Sequence, residues 1–176
     1  MTDPFETLGV DARFDLDIGA LERRHRDLSK ALHPDRYAGA PAAERRLALG
    51  RAIDVNEAFR ALRDPLRRAE ALLRRAGVAV GEEAERAVPE SLLMEMMEAR
   101  EELAEASRAK DAARIRALGG QMAARRDHLL VRLGQTIDAA RGDAARSRSA
   151  LPLLSELRYI RRFLDEVSAI EEELAS

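Results

Sequence analysis

Residues 21–35 read LERRHRDLSKALHPD, a stretch of helical periodicity that ends in the tripeptide His33-Pro34-Asp35. Because proline disfavours the α region at the residue before it, Pro34 predicts that the helix ends at about Leu32. The imidazole of His33 and the carboxylate of Asp35 are then expected on an exposed loop, where binding residues are commonly found. The stretch therefore predicts a helix followed by a loop that presents polar groups.

This helix, predicted from about Asp17 to Leu32, separates apolar from basic side chains. At about 100° per residue, one face carries Leu21, His25, Leu28 and Leu32. The opposite face carries Arg23, Arg26 and Lys30. On an isolated helix such a basic row is usually a solvated face. Beside the loop we interpret it as a docking surface for an acidic partner, and we interpret His25 as a core or boundary residue.

A second long helix is predicted from about Ala42 to Arg63, after a loop at 37–41. Its apolar row consists of Ala48, Ala52, Val55, Phe59 and Leu62. The apolar rows of the two helices would pair as an antiparallel hairpin, with the His-Pro-Asp loop at its tip. Asp64 and Pro65 predict the N-cap and first turn of a further helix, which is expected to end at Gly77.

After a linker predicted at 77–89, the segment 90–103 reads ESLLMEMMEAREEL and predicts an amphipathic helix. Its core face is assigned to Leu92, Met96, Ala99, Leu103 and Ala106. Met94, Glu98, Glu101 and Glu105 lie nearly opposite, with Leu93 and Met97 on a flank. Adaptable methionines among glutamates suit a partner surface. Periodicity alone explains Leu93 and Met97 equally well as part of a broad core stripe.

Two more long helices are predicted, from about Asp111 to Ala140 and from Pro152 onward, joined by a connection at 142–150. Residues assigned inward on the last helix are Leu153, Leu157, Ile160, Leu164 and Val167. Gly119-Gly120 costs a helix about 1 kcal/mol per glycine relative to alanine, so either close helix packing or a break is expected there. The predicted fold is all-α, with a helix hairpin and short flanking helices at 1–76 and a three-helix bundle at 90–176.

The composition and motifs of the chain argue against several classes of function. The 176 residues include no cysteine, which excludes disulfides and thiolate metal sites. No nucleophile–base set, phosphate loop or metal-ligand cluster is present, so we expect neither an enzyme nor a bound cofactor or metal. No apolar run approaches the roughly 18 residues of a membrane span, and no signal-peptide pattern begins the chain, which together predict a soluble cytoplasmic protein without membrane contact.

Nucleic acid is not an expected partner either. The formal net charge of −2 creates no global basic field. An arginine-rich nucleic-acid binder would need a contiguous basic surface, and glutamates are interleaved through both halves of the chain.

Several motifs in order resemble a J-domain, the co-chaperone module that stimulates a DnaK-type ATPase. They are Phe5-x-x-Leu8-Gly9, the basic helix, His33-Pro34-Asp35, and VNEAF at 55–59 before Asp64-Pro65. The stretches PLRRAEALL at 65–73 and LLMEMMEAREEL at 92–103 are similar to the HscB family, whose members are J-type co-chaperones of iron–sulfur cluster assembly. The resemblance extends from about Pro4 to Leu174.

The resemblance implies two binding sites. A DnaK/HscA-type chaperone ATPase would bind through His33, Pro34, Asp35, Arg23, Arg26 and Lys30. An IscU-type iron–sulfur scaffold would bind through Leu93, Met94, Met97, Glu98, Glu101, Glu105 and Phe163, although Phe163 also fits an ordinary core position. The protein is expected to be a monomer. A J-domain protein of the same architecture with a different client remains an alternative.

Overall fold

The computed structural model describes residues 2–81 and 89–175, and this part of the chain is helical with no strand. The predicted all-α class is thereby confirmed. The chain divides into two compact units, Met1–Val78 and Ala79–Ser176. Most of the predicted linker lies outside the described residues, and the predicted domain limits stay a prediction.

The first unit is built around a helix hairpin. Its elements are α1 (Pro4–Leu8), α2 (Ile18–Ala31), a 3₁₀ helix (Pro34–Tyr37), α3 (Ala42–Arg63) and α4 (Pro65–Arg75). His25 in the middle of α2 contacts Phe59 near the end of α3, whereas Leu32 after the end of α2 lines one cavity with Ala48 near the start of α3, so α2 and α3 run antiparallel. The core includes Phe5, Leu8, Leu21, Val55, Leu62 and Leu73.

Aspartate side chains begin three of these helices. Asp3, Asp17 and Asp64 each accept a hydrogen bond from a backbone amide in the first turn, at distances of 2.8 to 3.0 Å. Such caps satisfy amides that have no partner within the helix. The predicted limits of α2 and α3 agree with the structure to within a residue. The helix α4 ends at Arg75, shortly before Gly77, whose φ is +77°.

A buried arginine, which the sequence analysis did not single out, closes the end of α3. Arg68 donates from Nε to the Leu62 carbonyl and from Nη1 to the Phe14 carbonyl, both at 2.7 Å. Its guanidinium also lies over the Phe14 ring, 5.5 Å from the centroid. Burial lowers the pKa of Arg68, and the carboxylates of Asp64 and Asp15 oppose this shift. Arg68 thus ties the loop before α2 to the α3–α4 junction.

The second unit is a bundle of three long helices. Its elements are α5 (Glu90–Arg108), α6 (Ala112–Ala140), α7 (Ala144–Ser147), a 3₁₀ helix (Arg148–Ala150) and α8 (Leu151–Ala175). The predicted connection at 142–150 joins the two long helices, and it contains the short helix α7 and the 3₁₀ helix. Asp143 caps α7 by accepting from the Arg146 amide at 2.8 Å, and Ser147 and Ala150 are buried.

The inward face of α8 differs in part from the prediction. Leu157, Ile160 and Val167 are buried as expected, whereas Leu153 and Leu164 are only half-buried. Leu154 and Phe163 are fully buried instead. Because α8 packs against both α5 and α6, its buried face is wider than a single periodic row.

Close packing explains the first glycine of the pair in α6. A Cβ added at Gly119 would lie 3.0 Å from Cγ1 of Val167 on α8, whereas a Cβ at Gly120 would meet nothing within 4 Å. The helix continues through both residues. Of the two predicted alternatives, close approach of two helices is therefore right at Gly119, and a helix break is wrong.

Candidate functional site

The His-Pro-Asp tripeptide begins a tight turn at the tip of the hairpin. His33 has φ −61° and ψ 134°, the extended conformation that a following proline favours. The Asp35 amide donates to Nδ1 of His33 at 3.4 Å, and the Tyr37 hydroxyl donates to the Ala31 carbonyl at 3.5 Å. The side chains of His33, Pro34 and Asp35 are all exposed. The turn thus exposes an imidazole and a carboxylate on a backbone whose conformation is held by hydrogen bonds within the turn.

The predicted basic row lies on the exposed face of α2. Arg23, Arg26 and Lys30 are exposed, and Arg23 makes a loose ion pair with Asp17 at 3.9 Å. Arg26 and Lys30 make no ion pair with another described residue. Their positive charges are therefore available to an acidic surface.

His25 connects the basic helix to α3. Its ring stacks on Phe59, with centroids 4.2 Å apart and an interplanar angle of 14°, and Nε2 lies 2.9 Å from Oδ1 of Asn56. His25 is half-buried, which agrees with the predicted boundary position. These contacts fix α2 against α3 on the side of α2 opposite the basic row.

An apolar cavity beside the turn was not found by sequence analysis. It has a volume of about 280 Å³, and its lining includes Leu32, Pro34, Tyr37 and Leu49. Leu49 and Ile53, one turn apart on α3, are both at least half exposed. The spacing of these two residues outside the predicted apolar row is the signal that could have revealed this surface.

The second candidate surface is the outer face of α5. The exposed fractions are 37% for Leu93, 57% for Met94 and 62% for Met97. Glu98, Glu101 and Glu105 are exposed on the same helix. Leu93 and Met97 are therefore not part of a broad core stripe, since Leu92 and Met96 fill the core positions. The arrangement is an apolar strip with carboxylates on one side.

Phe163 does not lie on this surface, which corrects its predicted place in the patch. It is 0% exposed and packs in the cluster that contains Leu92, Met96 and Leu103. The aromatic residue one turn earlier, Tyr159, is half-buried against the same cluster. Tyr159 therefore brings an aromatic ring from α8 to the surface, while Phe163 supports α5 from the core.

Ion pairs hold α5 against the two neighbouring helices. Arg125 of α6 bridges Glu95 of α5 and Glu156 of α8, with 2.7 Å between Nη2 of Arg125 and Oε1 of Glu156. The hydrogen bonds with Glu95 are the largest cause that raises the pKa of Arg125. Arg100 of α5 pairs with Glu166 of α8 at 3.2 Å. The helix α5, which carries the exposed apolar strip, is thus linked by ion pairs to both α6 and α8.

Within residues 2–81 and 89–175, no group of three or more histidine or acidic side chains is placed to hold a metal ion. In the same part of the chain, no helix has the length and hydropathy needed to cross a membrane.

Comparison with known proteins identifies relatives of this chain. The family model described as the HSCB C-terminal oligomerisation domain matches residues 88–168. A co-chaperone protein HscB homolog of Burkholderia multivorans is 36% identical over 170 residues, 97% of this chain and 94% of that protein. One from Bordetella parapertussis is 38% identical over 169 residues, 96% of each chain. The chain belongs to the HscB family.

Solved structures show the same fold. Chaperone HscB from Vibrio cholerae matches with a TM-score of 0.86 and 31% identity, covering 98% of this chain and 99% of that one. Human co-chaperone protein HscB matches with a TM-score of 0.85 at 22% identity, covering 96% and 82%, which supports the fold alone. The similarity to HscB proteins thus extends over both units of the chain.

Proposed function

We propose that this protein is a J-type co-chaperone of iron–sulfur cluster assembly. It stimulates the ATPase of a DnaK/HscA-type chaperone and delivers an IscU-type scaffold to that chaperone. The observation that carries the proposal is the exposed His33-Pro34-Asp35 turn beside an exposed basic row, in a chain that belongs to the HscB family. The protein acts by binding and is not itself an enzyme.

The first unit would engage the chaperone. Arg23, Arg26 and Lys30 attract an acidic surface and orient the hairpin on it, because complementary charge steers association. His33 and Asp35 then contact the chaperone from a turn whose backbone is already ordered, which lowers the entropy cost of binding. Stimulation requires that these contacts be stronger in the hydrolysing conformation, since equal binding of both states shifts nothing.

The second unit would hold the scaffold. Leu93, Met94 and Met97 offer an apolar strip whose methionines adapt to the partner's shape. Glu98, Glu101 and Glu105 complement basic side chains beside it. Tyr159 takes the place at the surface that was predicted for Phe163. Thiolate ligands for the cluster come from the scaffold, because this chain contains no cysteine.

We propose a monomer in the cytoplasm as the working form. The bundle buries its main apolar faces within one chain, and the first unit has its own core. The matching family model is nevertheless described as an oligomerisation domain. Light scattering of the purified protein at micromolar concentration measures its oligomeric state. A mass near 19.5 kDa supports the monomer, and a multiple of that mass contradicts it.

Single-turnover ATP hydrolysis by the chaperone tests the proposal, with and without the scaffold. The protein is expected to accelerate hydrolysis, and the scaffold is expected to increase that acceleration. His33→Gln should abolish stimulation and leave scaffold binding intact, because His33 lies on the turn. Normal stimulation by this variant would contradict the chaperone site.

Met97→Ala should give the opposite result. Loss of a side chain that is 62% exposed leaves the fold intact but removes apolar contact with the scaffold, which weakens binding by about tenfold, or about 1.4 kcal/mol. The matched control is Val131→Ala, which shortens a 60%-exposed apolar side chain on α6. Equal scaffold affinity of the two variants would remove the α5 surface from the proposal. Stimulation that is indifferent to scaffold would indicate a different client.

A further inference from the structure

The apolar strip of α5 continues onto α8, where it meets a positive charge. Leu93, Met97 and Arg100 share one flank of α5, since residues at i, i+4 and i+7 lie on one face. Arg100 pairs with Glu166 of α8, so this flank faces α8. Glu98, Glu101 and Glu105 project farther from α8, around the outer face of α5. The two long sides of the strip therefore differ.

The ion pairs also set the register of the two helices. Glu95 is bridged to Glu156 through Arg125, and Arg100 is paired with Glu166, so residue numbers increase in the same direction along α5 and α8. Met97 lies one turn before Arg100, and Arg162 lies one turn before Glu166. The register therefore places Arg162 level with Met97 along the two helices, and Tyr159, one turn before Arg162, level with Leu93.

Arg162 is exposed and held in place without an acidic partner. Its guanidinium carbon lies 4.5 Å from the centroid of the Tyr159 ring, a cation–π contact. No described carboxylate forms an ion pair with it. This contact involves no carboxylate acceptor, so the N–H donors of the guanidinium remain available to a carboxylate. The side chain is thus prepared to bind an anionic group.

We propose that Arg162 binds an acidic side chain of the scaffold protein and thereby fixes the orientation in which the scaffold docks. The inference rests on the proposed function and makes it more specific. The docking surface would then be bipolar, negative at Glu98, Glu101 and Glu105 and positive at Arg162, with the apolar strip between them. A partner that carries basic and acidic groups on opposite sides of its apolar contact fits in one orientation only.

The sign of one rate change tests this proposal. The association rate constant of the full-length protein with a purified IscU-type scaffold is measured by stopped flow at low and high salt. If the scaffold is acidic at this edge, Arg162→Glu lowers the rate about fivefold at low salt, and the difference shrinks as salt is raised. If the scaffold is uniformly basic, as the glutamates alone would require, Arg162→Glu raises the rate. A raised or unchanged rate overturns the proposal.

Two further variants separate local recognition from other effects. Arg162→Lys keeps the charge and should associate within about twofold of the unaltered protein. Arg132→Glu makes the same charge change at an exposed arginine on α6, and it should slow association less than Arg162→Glu does. Equal slowing by the two reversals would mean that net charge alone governs the rate, which overturns the assignment of Arg162.

Met97→Ala distinguishes failure of this proposal from failure of the proposed function. If Met97→Ala weakens scaffold binding and Arg162→Glu does not slow it, the α5 site stands and the role of Arg162 falls. If the unaltered protein does not bind scaffold at all, the proposed function falls, and the role of Arg162 falls with it.

Discussion

At the scale of single residues, Arg68 shows how one side chain can donate hydrogen bonds to several backbone carbonyls. Its guanidinium donates to carbonyls of Leu62 and Phe14 and, at 3.4 Å, to that of Arg63. Two of these carbonyls belong to the last turn of α3, where no helical amide is available to them. Removal of the guanidinium would leave buried acceptors without donors, and each such group costs about 1–3 kcal/mol.

Arg68→Met is therefore expected to destabilise the first unit by about 3 kcal/mol, because methionine fills similar space but donates no hydrogen bond. Hydrogen exchange followed by mass spectrometry measures this, since it reports each unit separately. Amides of α3 and α4 should exchange faster, and those of α5, α6 and α8 should not change. The control is Arg67→Met at the exposed neighbouring position, for which we expect less than about 0.5 kcal/mol. Equal protection in both variants would contradict the role assigned to Arg68.

The sequence predicted the helices well and the neighbours of individual side chains less well. The bounds of α3 follow from its apolar row and the Asp64-Pro65 stop, which are local signals. In the sequence, Arg68 looks like one more surface arginine. Its hydrogen-bond acceptors are the backbone carbonyls of Leu62 and Phe14, which no side-chain pattern reveals, and Phe14 is also far from Arg68 in sequence. Tyr159 and Phe163 are one turn apart on α8, and only the packing of α5 against α8 decides which of the two is buried.

At the scale of helices, the approach of α6 to α8 depends on Gly119. Alanine at either glycine gains about 1 kcal/mol in helix propensity. At Gly120 the added methyl meets open space, so Gly120→Ala should stabilise the second unit by about that amount. At Gly119 the methyl would press on the buried side chain of Val167, and overpacking of this kind costs about 1–3 kcal/mol.

We therefore expect Gly119→Ala to be less stable than Gly120→Ala by about 1–3 kcal/mol. Urea unfolding followed by circular dichroism compares the two variants, which have the same composition. Val167→Ala added to each variant identifies the cause, because a smaller side chain relieves the clash only beside Gly119. If Val167→Ala costs the same in both backgrounds, contact with Val167 is not what restricts residue 119.

At the scale of the whole molecule, the proposed function gives a reason for joining two units in one chain. A chaperone bound by the first unit and a scaffold bound by the second are held at an effective concentration that separate proteins reach only when they are abundant. Each site can then be individually weak and still bring the two partners together. This advantage requires both working sites on the same chain.

A mixture of His33→Gln and Met97→Ala proteins tests this requirement. The first variant should bind scaffold without stimulating the chaperone, and the second should stimulate the chaperone but bind scaffold about tenfold more weakly. Few chains in the mixture can therefore join both partners. At concentrations below the individual dissociation constants, we expect the mixture to stimulate single-turnover ATP hydrolysis no more with scaffold than without it. The control mixes unaltered protein with the doubly substituted protein, which has the same average number of working sites and should keep the scaffold effect. Recovery of the scaffold effect by the two single variants would show that the sites cooperate between chains, as they could in an oligomer, and would contradict a monomeric connector.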